Sequence, residues 1–473
     1  MPAPDVTPSP TLTAAASPVK TRQRYVLVAM LFLHTINTYL DRVCISAAKG
    51  DIAAHLRLSD QTMGYVFAVF ALGYALFQIP AGWMADTYGP RRTLTGIVAL
   101  WSGFTALTGA AWNAASLLVV RLLFGVGEAG AFPGATGAIY RWLPVQDRSV
   151  AQGIFHSGAR LGGAFSLFTI PLLIEAVGWR LAFVVCGALG VVWAVAWWVW
   201  FRDRPADHPG VNAAELTYIE ASPPTSLAEP TGQFPLGQVL TSANVLLLFF
   251  QAAAGSFTMF VAYSWLLPYL ADTWGRQASG YAALPPLLGA VALWLSGPFI
   301  RWLYRRGWGV FSRKAPAMVG KGLAALSLLV ATQVQSPLGF VLLFGLAIFG
   351  IEFCTNSSWT TSMDIGAGRS GAVSATMNMG SNIGSAASAI LFPFFVQHVR
   401  LPHFAETTGT ANAYFVFAAG LNLLALGAWV LIDPRRKLAE GVSPARIRWR
   451  VAIFSTLAVV AAAALILLPL FSS

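Results

Sequence analysis

The chain has 473 residues, of which 56% are hydrophobic and only 10% are charged. An ordinary soluble domain carries about 25% charged residues, so this composition excludes a water-soluble enzyme of this size. The chain has 30 Lys and Arg against 19 Asp and Glu. The basic residues are concentrated in the loops on one side of the apolar segments, as the positive-inside rule expects of a membrane protein. We therefore expect no nucleic-acid partner. Its three cysteines lie in apolar segments and form no pattern for a metal or a disulfide, and we expect no cofactor.

Apolar stretches long enough to cross a bilayer come in two groups of six, which predicts an all-α integral membrane protein. Residues 1–24 read as a disordered cytoplasmic tail, rich in Pro, Ala, Ser and Thr. We expect an N-terminal six-helix bundle at 25–201, a polar linker at 202–240 and a C-terminal six-helix bundle at 241–433. The twelve predicted spans lie near 25–47, 62–85, 93–111, 115–140, 148–174, 180–201, 242–271, 279–303, 313–333, 336–362, 369–397 and 411–432.

The last segment, 434–473, is a basic stretch followed by a further apolar run at 451–470. That run is long enough to cross the membrane. An interfacial helix is the alternative, but the run has no polar face, which disfavours it. We therefore expect an extra C-terminal membrane helix.

Lys and Arg are concentrated in the loops that would share one side with the N-terminus, and they are scarce in the loops of the other side. The positive-inside rule assigns the Lys- and Arg-rich side to the cytoplasm. The sequence thus predicts a multi-pass protein of the cell (inner or plasma) membrane with a cytoplasmic N-terminus.

A short internal repeat relates the two groups of spans. Arg148-Ser149-x-Ala151, at the start of span 5, matches Arg369-Ser370-x-Ala372, at the start of span 11. Both spans then carry small residues four apart, which lets helices approach closely. The pairs are Gly158/Gly162 and Gly380/Gly384. Two related halves with a site at their interface are typical of secondary transporters.

The loop after span 2 reads Gly82-Trp-Met-Ala-Asp86-Thr-Tyr-Gly89-Pro-Arg91-Arg92. It resembles the G-x-x-x-D-x-x-G-x-R-R signature loop of the major facilitator superfamily, whose fold is two six-helix bundles related by pseudo-two-fold symmetry. The resemblance implies a latch that holds the two bundles together in the outward-open state. We expect Asp86 to meet helix N-termini and a nearby Arg such as Arg148. The corresponding loop after span 8 has Arg301 where the first has Asp86, which puts a second latch in doubt.

Further stretches resemble one branch of that superfamily, the anion:cation symporters, which include galactonate, glucarate, hexuronate and phthalate-type transporters. They are the segments 37–42 (NTYLDR), 73–80 (GYALFQIP), 121–133 (RLLFGVGEAGAFP) and 265–270 (WLLPYL). The resemblance covers nearly the whole chain except its termini. It implies an organic anion as substrate and protons as the coupling ion.

Four charged residues in spans 1 and 4 are candidates for that chemistry, because a charge at membrane depth costs about 2.5–3.5 kcal/mol or more. Arg121 and Glu128 are seven residues apart and share one helix face, at a depth similar to that of Asp41 and Arg42. Arginine forks bind carboxylates bidentately, so we expect Arg42 and Arg121 to bind the anion. Asp41 and Glu128 would then carry protons. The alternative is two structural ion pairs, Asp41 with Arg121 and Arg42 with Glu128.

Arg160 in span 5 is a candidate for contact with the far end of the substrate. Lys321 and Glu352 lie at similar depths in spans 9 and 10, and we expect them to form an ion pair; the alternative is a snorkelling lysine and a cavity-facing glutamate. The resemblance to galactonate-type carriers further implies substrate contacts from polar and aromatic residues of spans 1, 2, 10 and 11. These candidates are Tyr39, Tyr74, Trp359 and Asn378. We expect His34 and His156 to be packing residues.

Together these features predict a transporter, and not an enzyme, that imports an organic anion with protons by alternating access. We expect a sugar acid of the galactonate, glucarate or hexuronate type. The alternatives are a carrier of aromatic anions or dicarboxylates, an anion exchanger and, more distantly, a membrane sensor that does not transport. The expected partners are the anion, protons and the lipid bilayer, and we expect a monomer.

Overall fold

The computed structural model describes residues 20–220, 236–399 and 411–438, and within these ranges the regular structure is helical throughout. Most of the predicted tail and the predicted C-terminal helix at 451–470 lie outside the described residues. Eight of the described helices are long and apolar enough to cross a membrane, and two of them are long enough to cross it twice.

Two of the longest helices are broken at a glycine. Gly89 (φ 82°) divides Asp60–Gly109, and Gly178 (φ 79°) divides Val145–Trp200. Both glycines adopt a positive φ, which other residues rarely do. With these breaks, the described chain contains the twelve predicted segments. They are α1 (Gln23–Ala47), α2 (60–88), α3 (90–109), α4 (Ala114–Glu128 and Ala131–Trp142), α5 (145–177), α6 (179–200), α7 (Ala243–Ser264 and Leu266–Trp274), α8 (Leu284–Leu303), α9 (Phe311–Ala331), α10 (Pro337–Gly366), α11 (Ser370–His398) and α12 (Asn412–Leu431).

We call α1–α6 the N bundle and α7–α12 the C bundle. In each bundle, a glycine of the predicted repeat lets two helices pack closely together. On α5, a β-carbon at Gly162 would lie 2.7 Å from the α-carbon of Ile36 on α1. On α11, a β-carbon at Gly384 would lie 2.1 Å from the carbonyl oxygen of Ala253 on α7. Each bundle therefore packs its fifth helix against its first through glycine, as the repeat predicts.

The linker between the bundles carries a short helix, Ala213–Glu220, that docks beneath α1. The carboxylate of Glu215 is fully buried and accepts hydrogen bonds from the backbone N–H groups of Gln23 and Arg24, both at 3.2 Å. It also pairs with the Arg24 side chain at 2.8 Å. Because these N–H groups begin α1, they have no partner within the helix, and Glu215 supplies one. We call this end of the molecule the linker face.

Candidate functional site

A cavity of about 320 Å³ lies between the two bundles. Its volume is in the range of small-molecule sites. Its wall is built from α1, α2, α4 and α5 of the N bundle and from α7, α9, α10 and α11 of the C bundle. Six residues predicted as substrate contacts line it: Tyr39, Arg42, Tyr74, Arg160, Trp359 and Asn378.

Arg42 is the cation on the N-bundle side of the cavity. Its Nε donates to Glu128 Oε1 at 2.7 Å, and its Nη2 lies 2.6 Å from the same oxygen. The Arg42 side chain is 25% exposed, whereas that of Glu128 is 1% exposed. The guanidinium carbon also lies 4.9 Å from the ring centre of Tyr74 and 5.4 Å from that of Tyr39. Arg42 thus faces the cavity, and on the side away from the cavity it is paired with Glu128.

Arg121 is the one predicted substrate residue that the structure places elsewhere. It is 2% exposed and is not among the residues that line the cavity. Its guanidinium carbon lies 4.5 Å from the ring centre of Phe124 and 5.0 Å from that of Phe70. The expectation of two arginines facing one anion is therefore not met in this state. The guanidinium carbon of Arg42 lies 5.3 Å from the centre of the Phe70 ring, which Arg121 also contacts.

Asp41 is buried next to this group, at 1% exposure. Its charged neighbours are Glu128 and Arg121. Its carboxylate faces the indole N–H of Trp101, and among the described residues neither oxygen makes a closer hydrogen bond. Of the two alternative ion pairs, the structure forms Arg42 with Glu128, and it gives no contact as short between Asp41 and Arg121.

Arg160 and Glu352 form an ion pair across the cavity, and this pair joins the two bundles. Arg160 Nε donates to Glu352 Oε1 at 3.0 Å, and Nη2 contacts the same oxygen. The predicted pair of Lys321 with Glu352 is therefore wrong. Lys321 Nζ donates instead to the backbone carbonyl of Gln251 on α7, at 2.9 Å. Similar depth along two helices did not determine which faces the two side chains occupy.

Aromatic and amide side chains complete the cavity wall. Asn378 of α11 donates to the hydroxyl of Tyr74 on α2 at 3.3 Å, which is a second contact between the bundles. Trp359 packs on His156, with ring centres 4.8 Å apart. His156 lines the cavity while packing on Trp359, and His34 is buried between two tryptophan rings.

Sequence reasoning missed the contribution of α7 to this wall. Gln251 and Gly255 both line the cavity, and a β-carbon at Gly255 would lie 2.7 Å from Lys321 Nζ. The available signal was a single glutamine in the apolar run 245–252 (VLLLFFQA). A polar residue in such a run requires a partner at membrane depth.

On the linker face, the loop after α2 contacts the start of α11 and so joins the two bundles. The carboxylate of Asp86 accepts hydrogen bonds from the backbone N–H groups of Gly371 and Ala372, both at 2.8 Å. These residues begin α11, where N–H groups are unpaired and the helix dipole favours a negative charge. Gly82 lies against Gly371 at the same place.

The other residues of the predicted latch serve neighbouring contacts. Gly89 leaves room for the Asp203 carboxylate, which accepts from the backbone N–H of Arg91 at 3.0 Å. The Arg91 side chain donates to the Trp198 carbonyl at 2.8 Å, and Arg92 is exposed. These contacts involve the N bundle and the start of the linker, and none of them reaches the C bundle.

Arg148 was expected near Asp86, and it pairs with another acid. Its Nη1 lies 3.8 Å from Asp364 at the end of α10, so it bridges the two bundles. Asp364 also receives Arg313 of α9, at 3.1 Å. Nη2 of Arg313 donates to the backbone carbonyl of Val145 at 3.2 Å.

The loop after α8 makes a second contact on this face. Here the loop supplies the positive charge, whereas the loop after α2 supplies a negative one. Arg301 Nε lies 3.3 Å from Asp147 Oδ1 at the start of α5. Beside it, the Ser149 hydroxyl donates to the Gly297 carbonyl at 3.1 Å. Here an arginine with a carboxylate opposite it stands where the first loop has an aspartate at a helix N-terminus.

Two related helical bundles enclose a cavity with charged walls, and the contacts between the bundles close it toward the linker face. A fold and site of this kind are those of a multi-pass membrane transporter. The chain belongs to the Major Facilitator Superfamily, whose family profile matches residues 31–389.

Curated relatives place the chain in more detail. It is 31% identical over 417 residues to the probable sulfoacetate transporter SauU of Cupriavidus necator, with 87% of this chain and 94% of that protein covered. It is 31% identical over 349 residues to the D-galactonate transporter of Escherichia coli, with 71% and 80% covered. These similarities agree with the resemblance to the organic-anion branch of the superfamily, and with a transporter and not an enzyme.

Among solved structures, the fold is similar to that of the proton:xylose symporter XylE, with a TM-score of 0.62. The two sequences are 13% identical, and the match covers 87% of this chain and 96% of that one. At this identity the likeness concerns the fold alone.

Proposed function

We propose that the protein imports an organic anion together with protons, and that the anion is a sugar acid or a compound of similar size and charge. The observation that carries the proposal is the Arg42–Glu128 pair. Arg42 is paired with the buried carboxylate of Glu128 on one side and is exposed to the cavity on the other. When the carboxylate takes up a proton, the cation becomes available to a carboxylate of the substrate.

Asp41 and Glu128 are the proposed proton carriers. Both are buried carboxylates that lie beside arginines, Asp41 near Arg121 and Glu128 against Arg42. Arg121 supplies a fixed positive charge beside them. We propose that it acts on these two acids, and that it does not contact the substrate in the state described.

The same proposal assigns the linker face to the cytoplasm of a cell-membrane protein, with the N-terminus inside. It is supported by the abundance of Lys and Arg at this face, including Lys20, Arg24, Arg301 and Arg313. The bundles meet there through Asp86 and Asp147, so the state described is closed toward the cytoplasm. A monomer is sufficient for this mechanism, because all the proposed site residues lie in one chain.

The test uses the purified protein in liposomes that contain a pH dye. Sugar acids and sulfoacetate are added on one side, with and without a proton gradient, for the parent chain and for Glu128→Gln. We expect the gradient to drive accumulation of the anion by the parent, with proton entry. In Glu128→Gln we expect accumulation to fall at least tenfold, whereas exchange of labelled anion across the membrane continues.

The exchange arm separates binding from coupling. Exchange without any proton movement in the parent chain would identify an anion exchanger and would contradict the proton-carrier role. Accumulation by Glu128→Gln at the parental level would remove Glu128 from that role. Absence of both uptake and exchange for every anion would contradict the proposed function itself.

A further inference from the structure

The C-bundle side of the cavity carries a second cationic site, centred on Lys321. Its side chain is buried at 1% exposure, yet it lines the cavity. Among the described residues, the acceptor that the structure gives its ammonium group is the Gln251 carbonyl. Gly255 has no side chain that would cover the ammonium, since a β-carbon there would lie only 2.7 Å from it.

The cations around the cavity are compensated to different degrees. Within the N bundle, Arg42 is paired with Glu128. Across the cavity, Arg160 of the N bundle is paired with Glu352 of the C bundle. Among the described residues Lys321 pairs with no carboxylate, so these five side chains together carry one positive charge in excess when the acids are ionised.

An ammonium at this depth is expensive unless an anion compensates it. A backbone carbonyl offers only a partial charge. An acidic group of a ligand that reached Lys321 would therefore replace weak solvation by a charged hydrogen bond. Arg42 lies on the other wall, so a ligand that uses both cations needs an acidic group at each end.

We infer that the cavity prefers a linear dianion, with one acidic group on Arg42 and the other on Lys321. The inference rests on the proposed function and narrows its substrate class. Arg160 and Glu352 line the same cavity as Lys321, and their ion pair would flank the second acidic group.

The experiment compares compounds that differ by one acidic group. Galactarate and galactonate share a carbon skeleton, and galactonate has an alcohol where galactarate has its second carboxylate. Sulfoacetate and acetate form a second, shorter pair. Their competition against uptake of a labelled anion is measured in liposomes for the parent chain, Lys321→Met, Lys321→Arg and Lys314→Met. Lys314 lies on the same helix and is the control, since its Nζ bonds to a backbone carbonyl in an exposed position.

We expect the parent chain to bind at least one dianion about tenfold or more tightly than its partner. A hydrogen bond to a charged group contributes about 1.5–3 kcal/mol, so Lys321→Met is expected to weaken the dianion about 10- to 100-fold. The monoanion is expected to change less than threefold. Lys321→Arg should retain most of the preference, and Lys314→Met should behave as the parent.

Equal binding of both members of each pair, or equal loss of both in Lys321→Met, would overturn the inference and leave the proposed function standing. Tighter binding of the monoanion than of the dianion would overturn the inference as well. Failure of the proposed function differs from these outcomes, because no anion would then be taken up or exchanged. If Lys321→Met does not fold, retention of the preference in Lys321→Arg together with its loss in Lys321→Gln supports the inference, and equal preference in both contradicts it.

Discussion

Gly82 and Gly371 face each other where the two bundles meet on the linker face. A β-carbon at either residue would lie 2.5 Å from the carbonyl oxygen of the other. That is well inside van der Waals contact, so neither position accepts a side chain while α2 and α11 are in contact. The closed arrangement of this face therefore depends on two glycines as well as on Asp86.

The first prediction concerns Gly82→Val. The valine cannot fit against α11, so we expect the variant to favour the state that is open at the linker face and to transport at least tenfold more slowly. The measurement is alkylation of a cysteine placed at Ser149, a residue that is fully buried beside Gly297 when the face is closed. Faster alkylation than in the parent is expected.

Gly96→Val is the matched control for this prediction. Gly96 lies on the next arm of the same helical hairpin, and a β-carbon there meets nothing within 4 Å. It should leave both transport and alkylation unchanged. Parental alkylation in Gly82→Val would show that the close contact does not determine the conformation.

The second prediction concerns the docking of the linker helix. Glu215→Gln removes the charge that receives two N–H groups of α1 and the Arg24 guanidinium. Hydrogen bonds to charged groups contribute about 1.5–3 kcal/mol, so local opening should become at least tenfold more frequent. Hydrogen exchange of the amides in 213–220 measures this directly. The control is Glu220→Gln, an exposed residue of the same helix, and equal exchange in both variants would refute the role of Glu215.

The third prediction concerns pH. His208 in the linker is buried between Trp142 and Trp200, with ring centres 5.4 Å and 5.0 Å away. Burial lowers the pKa of His208, and the charge of Arg202 lowers it further. The unfolded segment then binds a proton more readily than the folded one, so the contribution of His208 to stability is present above about pH 6.5 and is lost as the pH falls.

The measurement is the thermal unfolding midpoint between pH 7.5 and pH 5 for the parent and for His208→Gln. We expect the parent to lose more stability on acidification than the variant does. His55→Gln, at an exposed position in the helix Lys49–Leu56, should keep the parental slope. A steeper slope in His208→Gln would contradict the assignment.

Hydropathy, basic loops and the Asp86 loop predicted the fold, and the intramembrane charges and aromatic residues picked out six of the residues that line the cavity. They succeed because the bilayer imposes one length on every span and makes each intramembrane charge costly. Arg42, Arg160 and Glu352 could therefore be recognised as functional candidates from single positions. The glycine repeat likewise predicted which helices pack closely within each bundle.

Pairing across the bundles could not be predicted in the same way. Depth along a helix fixes one coordinate of a side chain, whereas its partner depends on helix rotation and on which helices become neighbours. Arg160 and Glu352 are 192 residues apart in sequence. They form a pair because α5 and α10 face each other across the cavity. Spacing along one helix was equally unable to predict that Arg121 is buried away from the cavity, with its guanidinium packed on Phe70 and Phe124.

The two halves of the linker-face closure differ in how they respond to salt. Asp86 is 5% exposed and is held by backbone N–H groups, whereas Arg301 is 34% exposed in its pair with Asp147. At physiological ionic strength the screening length is about 8 Å, and screening acts most strongly on charges that solvent reaches. Added electrolyte therefore weakens the α5–α8 side before the α2–α11 side. The bundles would then separate first at Arg301 and rotate about the contact at Asp86, which stays closed longer.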